Sequence, residues 1–185
     1  MVGTVIHRYN PRLDYCSNPL QYRRWKRRFL AEVGQSARKH LRYRADISEY
    51  SIADADWLRR FFPDLPAVEG NLQEAMSTCR LVVLDHPGTV LAEALAANIP
   101  TICFWDKTQW LISPQAQPMF DKLAQAGILF DQPEAAAAQL NTIFQNVEAW
   151  WAEPGLQRAR AEWCHLFARA DGYWLEKWLK AFAIL

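Results

Sequence analysis

Cysteine and histidine are scarce in this chain of 185 residues, and long apolar runs are missing; each scarcity removes a class of chemistry. The four cysteines, Cys16, Cys79, Cys103 and Cys164, are scattered and form no C-x-x-C pair. A disulfide framework would suit a shorter, secreted chain. Cys79 and Cys103 lie in apolar runs, where a free cysteine is expected to act as a small buried hydrophobe. The histidines, His7, His40, His86 and His165, show neither H-x-x-x-H nor H-E-x-x-H spacing, so no zinc motif is present. G-x-G-x-x-G and G-x-x-x-x-G-K-[ST] are also absent, which removes the dinucleotide fingerprint and the P-loop. No stretch approaches the ~18 consecutive apolar residues of a membrane span. The opening Met1-Val2-Gly3-Thr4-Val5-Ile6-His7-Arg8 lacks the basic-then-apolar order of a secretory signal. The expectation is a soluble, cytoplasmic chain.

What is present reads as globular: 51% hydrophobic and 22% charged residues. The length suits one well-buried domain. A net charge of +1 conceals an asymmetry. Residues 1–44 hold 11 Lys/Arg against Asp14 and Glu32, a balance of +9, and the remainder carries −8. Such a block points either to an anionic partner (phosphate-bearing ligand, nucleic acid, membrane surface) or to a helix face offset by the rest of the fold.

The first apolar run, Thr4–Tyr9, reads as a short strand ended by Asn10-Pro11. A basic helix is expected from Leu20 to about Ala37, with Tyr22, Trp25, Phe29 and Val33 on one stripe. Leu41–Arg44 reads as a strand and Ala53–Phe62 as a helix. In that helix Asp54 and Asp56 suit capping better than the metal-holding alternative open to a D-x-D. Asn71 is placed to cap a short helix. Arg80–Asp85 is an unbroken apolar run suited to a strand buried on both faces. His86-Pro87-Gly88-Thr89 is a turn, Val90–Ala97 a helix, Asn98 a left-handed cap, and Thr101–Trp105 the next strand. Pro118–Ala126 is helical with Gly127 as cap, followed by strand Ile128–Phe130. One long helix is expected from Glu134 to about Trp151, and a last helical stretch from Leu156 to Leu185. Alternating strands and helices predict an α/β, three-layer Rossmann-like parallel sheet forming one domain. Residues 1–150 would be its core and 151–185 its Trp-rich C-terminal helices.

In an open parallel sheet, ligands bind beyond the carboxyl ends of the strands. The turn at 86–89 places free backbone N–H groups at a helix N-terminus, a seat for phosphate. Gly88 has no side chain to obstruct a ligand there. Glu93 is four residues past Thr89 and shares its helix face. A carboxylate there could accept hydrogen bonds from vicinal ribose hydroxyls. The competing reading is a tight turn with Thr89 as N-cap and Glu93 in a surface pair.

The run Asp85-His86-Pro87-Gly88-Thr89-Val90-Leu91-Ala92-Glu93-Ala94-Leu95-Ala96-Ala97-Asn98-Ile99-Pro100-Thr101 resembles the C-terminal, donor-nucleotide-binding half of GT-B glycosyltransferases. The later Phe104-Trp105, Trp150-Trp151 and Gln157-Arg158-Ala159-Arg160 look more specifically like a family of transferases associated with bacterial surface-polysaccharide loci. The resemblance covers residues 68–180 well and 1–67 loosely. It implies a nucleotide diphosphate sugar as donor, with Gly88 and Thr89 meeting the diphosphate and Glu93 the ribose. Arg8 would assist at the phosphate, and His86 occupies the turn where the donor site begins. It also implies no metal or other cofactor. Asn98 stands where many relatives carry Gly. Only one of the two GT-B halves fits, so the chain would bind donor and depend on an N-terminal acceptor half for transfer. No catalytic base is identified; Glu69 and Asp106 sit at strand ends.

Nine tryptophans are a high number, and Trp150, Trp151, Trp163, Trp174 and Trp178 lie in the last third. Most are expected in the core; a minority could meet a missing half or a second copy. The segment 22–44 could touch a membrane peripherally. Nucleic acid is disfavoured there, because helical spacing gathers the aromatics of Tyr22–Phe29 on one side rather than interleaving them with phosphate contacts. The alternative to a transferase half is a non-catalytic nucleotide-binding or protein-interaction module.

Overall fold

A computed structural model describes residues 1–2, 18–45, 54–169 and 172–183. The apolar runs between helices become short parallel strands. β1 (Val82–Leu84), β2 (Thr101–Phe104) and β3 (Leu129–Phe130) form a parallel sheet in that order. Val83 is level with Ile102, and Cys103 with Leu129. Isolated parallel bridges continue the pairing beyond β1: Val2 joins both Leu84 and Arg44, and Tyr43 joins Ala67. Their hydrogen bonds run from Val2 N to Val83 O at 2.8 Å, Arg44 N to Met1 O at 2.9 Å, and Val68 N to Tyr43 O at 2.8 Å. Across the sheet the segments therefore lie in the order 67, 43–44, 2, β1, β2, β3. That order is compatible with a Rossmann-like sheet, in which the chain direction of the order reverses between the segment at residue 2 and β1.

β2 is wholly buried because helices cover it from more than one direction. α1 (Pro19–Glu32) packs on α7 (Pro133–Ile143), and α5 (Thr89–Ala96) and α6 (Gln117–Gln125) pack on α9 (Pro154–Phe167). Both α5 and α7 also touch β2. Phe29 of α1 stacks on Phe104 of β2 with ring centroids 4.8 Å apart. The remaining helices are α2 (Gln35–Arg38), α3 (Asp54–Arg59), α4 (Leu72–Thr78), α8 (Val147–Trp151) and α10 (Trp174–Phe182). No helix among the described residues is long and apolar enough to cross a membrane.

Several caps follow local chemistry. Asn71 Oδ1 accepts from Gln73 N and Glu74 N at the start of α4. Asn98 adopts φ +55° after α5, where Ile99 N bonds Ala94 O and Asn98 N bonds Leu95 O, a Schellman closure. Gly127 does the same after α6 at φ +75°.

Three expected helices are broken. The basic helix divides at Val33, whose backbone is extended, because Asn141 of α7 accepts from Gly34 N and donates to Glu32 O. Arg38 then reaches back to the carbonyls of Leu30 and Ala31. The 134–151 helix divides around Phe144–Asn146, where Arg80 donates to the carbonyls of Phe144 and Gln145 and pairs with Glu148. The C-terminal stretch becomes α9 and α10, separate helices. Cys103 is buried as expected, but Cys79, just beyond α4, is exposed. The expected strand Thr4–Tyr9 lies outside the described residues.

Candidate functional site

The corner between β1 and α5 is built by an apolar strand that ends abruptly in polar residues. β1 is buried throughout, and Asp85 follows it at 2% exposure. Gly88 is the N-cap of α5, with extended backbone and no side-chain cap. Thr89 is therefore the first helical residue rather than the cap. The first N–H groups of α5 have no partner within the helix and point along its positive end. Leu91, Ala94 and Leu95 bury one side of α5, leaving Thr89 and Glu93 together on the exposed side.

His86 lies across this turn. A Cβ built on Gly88 would stand 2.5 Å from His86 Nε2 and 2.8 Å from Cδ2, so the ring's position requires glycine beneath it. The Trp110 ring packs against the imidazole at 5.0 Å between centroids. His86 Nδ1 lies 3.2 Å from Asp85 Oδ1, which makes Nδ1 the donor when Asp85 is ionised.

Behind the turn is a buried charge cluster. Lys26 of α1 has no exposed surface and sits in the apolar stripe with Tyr22, Phe29 and Leu30. Its Nζ donates to Asp54 Oδ2, lies 3.2 Å from Asp85 Oδ2, and is 3.5 Å from Tyr43 Oη. Arg23 Nε donates to the other oxygen of Asp54 at 2.9 Å. Two cations thus meet two carboxylates. Burial opposes the Lys26 charge, but Asp85, Tyr43 and Asp54 outweigh it and hold the ammonium above its usual range. Burial likewise pushes the Tyr43 phenol up, against the pull of Lys26.

The sequence-predicted residues fall into four groups. His86, Gly88, Thr89 and Glu93 come together at one corner. Arg8 lies outside the described residues. Asp106, after β2, is buried and accepts from Thr108 N, Thr108 Oγ1 and Gln21 Nε2, while Glu69 is exposed. Asp54 is drawn into the lysine cluster, and the exposed Asp56 pairs with Arg59. Sequence reasoning missed Lys26 and its partners. The signal was a lysine four residues after Tyr22 and three before Phe29, inside an apolar stripe.

The crevice among Gln21, Tyr22, Trp25, Asp85, Asp106 and Gln109 has a volume of about 10 Å³, room for no more than a water. At the corner itself Thr89 and Glu93 are exposed, while Gly88 and His86 are half-buried and Asp85 behind them is buried. The basic segment meets many partners within the chain. Arg28 pairs with Glu134, Arg27 lies over the Phe61 ring at 4.7 Å, and Arg44 donates to Gly70 O.

No curated protein and no solved structure matches the sequence. A family match does exist, to the LIC12162 family transferase, and it extends over residues 1–182. The chain belongs to the LIC12162 family of transferases.

Proposed function

We propose that this chain is the donor-binding half of a GT-B-like glycosyltransferase that uses a nucleotide diphosphate sugar in surface-polysaccharide synthesis. One observation carries the reading: at the carboxyl edge of a parallel sheet, Thr89 and Glu93 share the exposed face of a helix whose N-terminus opens beside His86. Backbone N–H groups at Gly88–Val90 would take the diphosphate, and Glu93, one turn further in, the ribose hydroxyls. As the bond from the sugar to the diphosphate breaks, those N–H groups and the helix end would stabilise charge on the departing phosphate. The exposure of Thr89 and Glu93 is also compatible with a half-site. A second wall, supplied by an acceptor-binding half, would position the acceptor hydroxyl and exclude water.

Calorimetric titration with UDP, GDP, CMP and their sugar conjugates tests this. Saturable binding of one nucleotide is expected, weakened roughly tenfold or more by Glu93→Ala, as for loss of a charged hydrogen-bond acceptor worth ~1.5–3 kcal/mol. Absence of binding to every nucleotide would overturn it. The second reading, a docking module, draws on α10, where Trp174, Leu175, Trp178, Leu179 and Phe182 are all exposed. It predicts no nucleotide binding.

A further inference from the structure

Every described residue from 172 to 183 is exposed, so α10 stands clear of the packed core. Its nine residues fall short of the ~12–15 that a helix needs to hold itself together in water. Trp174, Leu175, Trp178, Leu179 and Phe182 recur at helical spacing and form one apolar stripe, each of them more than half exposed. Glu176, Lys177 and Lys180 occupy the opposite side, where Lys180 donates to Glu176 at 2.6 Å. Two lysines against one glutamate leave that side positive.

We infer that α10 is a surface anchor that lays its apolar stripe into the interfacial zone of a lipid bilayer. This goes beyond the donor-binding reading and does not depend on it. Length, composition and area each select lipid. At ~1.5 Å per residue the helix covers less than half of the ~30 Å hydrocarbon core, so it lies in the interface and does not span. Tryptophan suits the headgroup level, where its ring is in an apolar layer and its N–H stays wet, while Leu and Phe reach below it. Lysine stems can run along the apolar layer and keep their ammonium groups in water. Covering the stripe removes on the order of 500 Å² of surface, whereas a stable protein interface takes ~800 Å² from each partner. A second copy seated stripe to stripe would therefore be undersized. A bilayer closes around the helix without a matching groove, and its anionic headgroups complement the positive side. The basic helix α1 is a poorer lipid contact, because Lys26 is buried and Arg23 and Arg28 are paired with carboxylates inside the chain.

The test is flotation of the full chain with phosphatidylcholine vesicles, with and without about one third phosphatidylglycerol. Wild type should float with both. Trp178→Ser combined with Leu179→Ser should lower the partition roughly tenfold or more, the scale of a large side chain withheld from an apolar phase. The urea midpoint of that variant in the absence of lipid should match wild type, since both positions are exposed. A second readout does not depend on that variant. Lipids brominated along their acyl chains should quench part of the tryptophan fluorescence of bound wild type, and that part should disappear in Trp174→Phe with Trp178→Phe.

Three results would overturn the inference. One is failure of wild type to float with either vesicle. Another is flotation that survives both α10 variants, which would place the contact on another surface such as the basic segment 22–44. The third is self-association of the lipid-free chain in sedimentation, abolished by the same substitutions, which would make a second copy the occupant. None of these touches the nucleotide titration, so the donor-binding reading stands or falls separately.

Discussion

α1 and α10 each carry one apolar stripe, and the two stripes have opposite fates. In α1 the stripe is buried even though it contains Lys26, which has no exposed surface. In α10 the stripe contains two tryptophans, two leucines and a phenylalanine, all of them exposed. Hydrophobic content alone would order these helices the other way. Taking an ammonium from water costs several kcal/mol, and α1 tolerates it because Asp54 and Asp85 arrive from other elements to meet it. Among the described residues α10 finds no such complement.

The sharpest way to break the comparison is to remove the lysine and keep its carboxylates. Lys26→Met should destabilise the fold by ~3–5 kcal/mol, because Asp54 and Asp85 would be left with less compensation in the interior. Adding Asp54→Asn and Asp85→Asn should recover most of that loss in urea unfolding, since no buried carboxylate then demands a cation and Arg23 keeps part of its side chain in solvent. A Lys26→Met cost below ~1 kcal/mol would show that the cluster is not what holds α1. The pH dependence has a definite sign. Lys26 and Tyr43 both have folded values raised above their ordinary ones, ~10.4 and ~10. Their contribution is full below about pH 10 and declines as pH rises beyond it. Unfolding midpoints between pH 8 and 11 should therefore fall at the alkaline end in wild type and less steeply in the triple variant.

A milder perturbation sits on the rim of the same helix. Arg28 of α1 reaches Glu134 of α7 with two parallel bonds of 2.6 and 2.8 Å, while both side chains remain partly in solvent. An exposed pair of this kind contributes ~0.2–1 kcal/mol. A double-mutant cycle with Arg28→Ala and Glu134→Ala should return a coupling in that range, shrinking in high salt. A coupling as large as the Lys26 effect would mean that the rim, rather than the buried cluster, anchors α1.

The sequence was legible where the chemistry is local. The strands at 82–84, 101–104 and 129–130 follow from short apolar runs between turns. The caps at Asn71, Asn98 and Gly127 follow from side-chain or backbone preferences within a few residues. The breaks at 33–34 and 144–146 were not legible, because Asn141 and Arg80 impose them from distant parts of the chain. The site divides in the same way. The turn and helix bearing Gly88, Thr89 and Glu93 could be read from spacing. The Lys26 cluster could not, since its carboxylates lie on separate elements and only folding brings them together. Cys79 is a smaller instance: its apolar neighbours suggested burial, yet it emerges just after α4.

The smallest expected effect concerns α10 and decides whether its contrast with α1 persists in solution. Trp178 stacks on Phe182 at 5.4 Å within the helix, yet both rings are more than half exposed. Trp174→Ala and Trp178→Ala should each change the stability of the isolated chain by less than ~0.5 kcal/mol, the range for surface positions without special contacts. The unfolding midpoint should also be independent of protein concentration. A loss of ~2 kcal/mol would mean that the apolar face is covered. If that loss grew with concentration, a second copy would be the cover; if not, the helix would be folding back on its own chain. A second copy as the cover would turn the difference between the two helices into one of where their partners reside, because α1 completes its stripe within its own chain and α10 would take one from another.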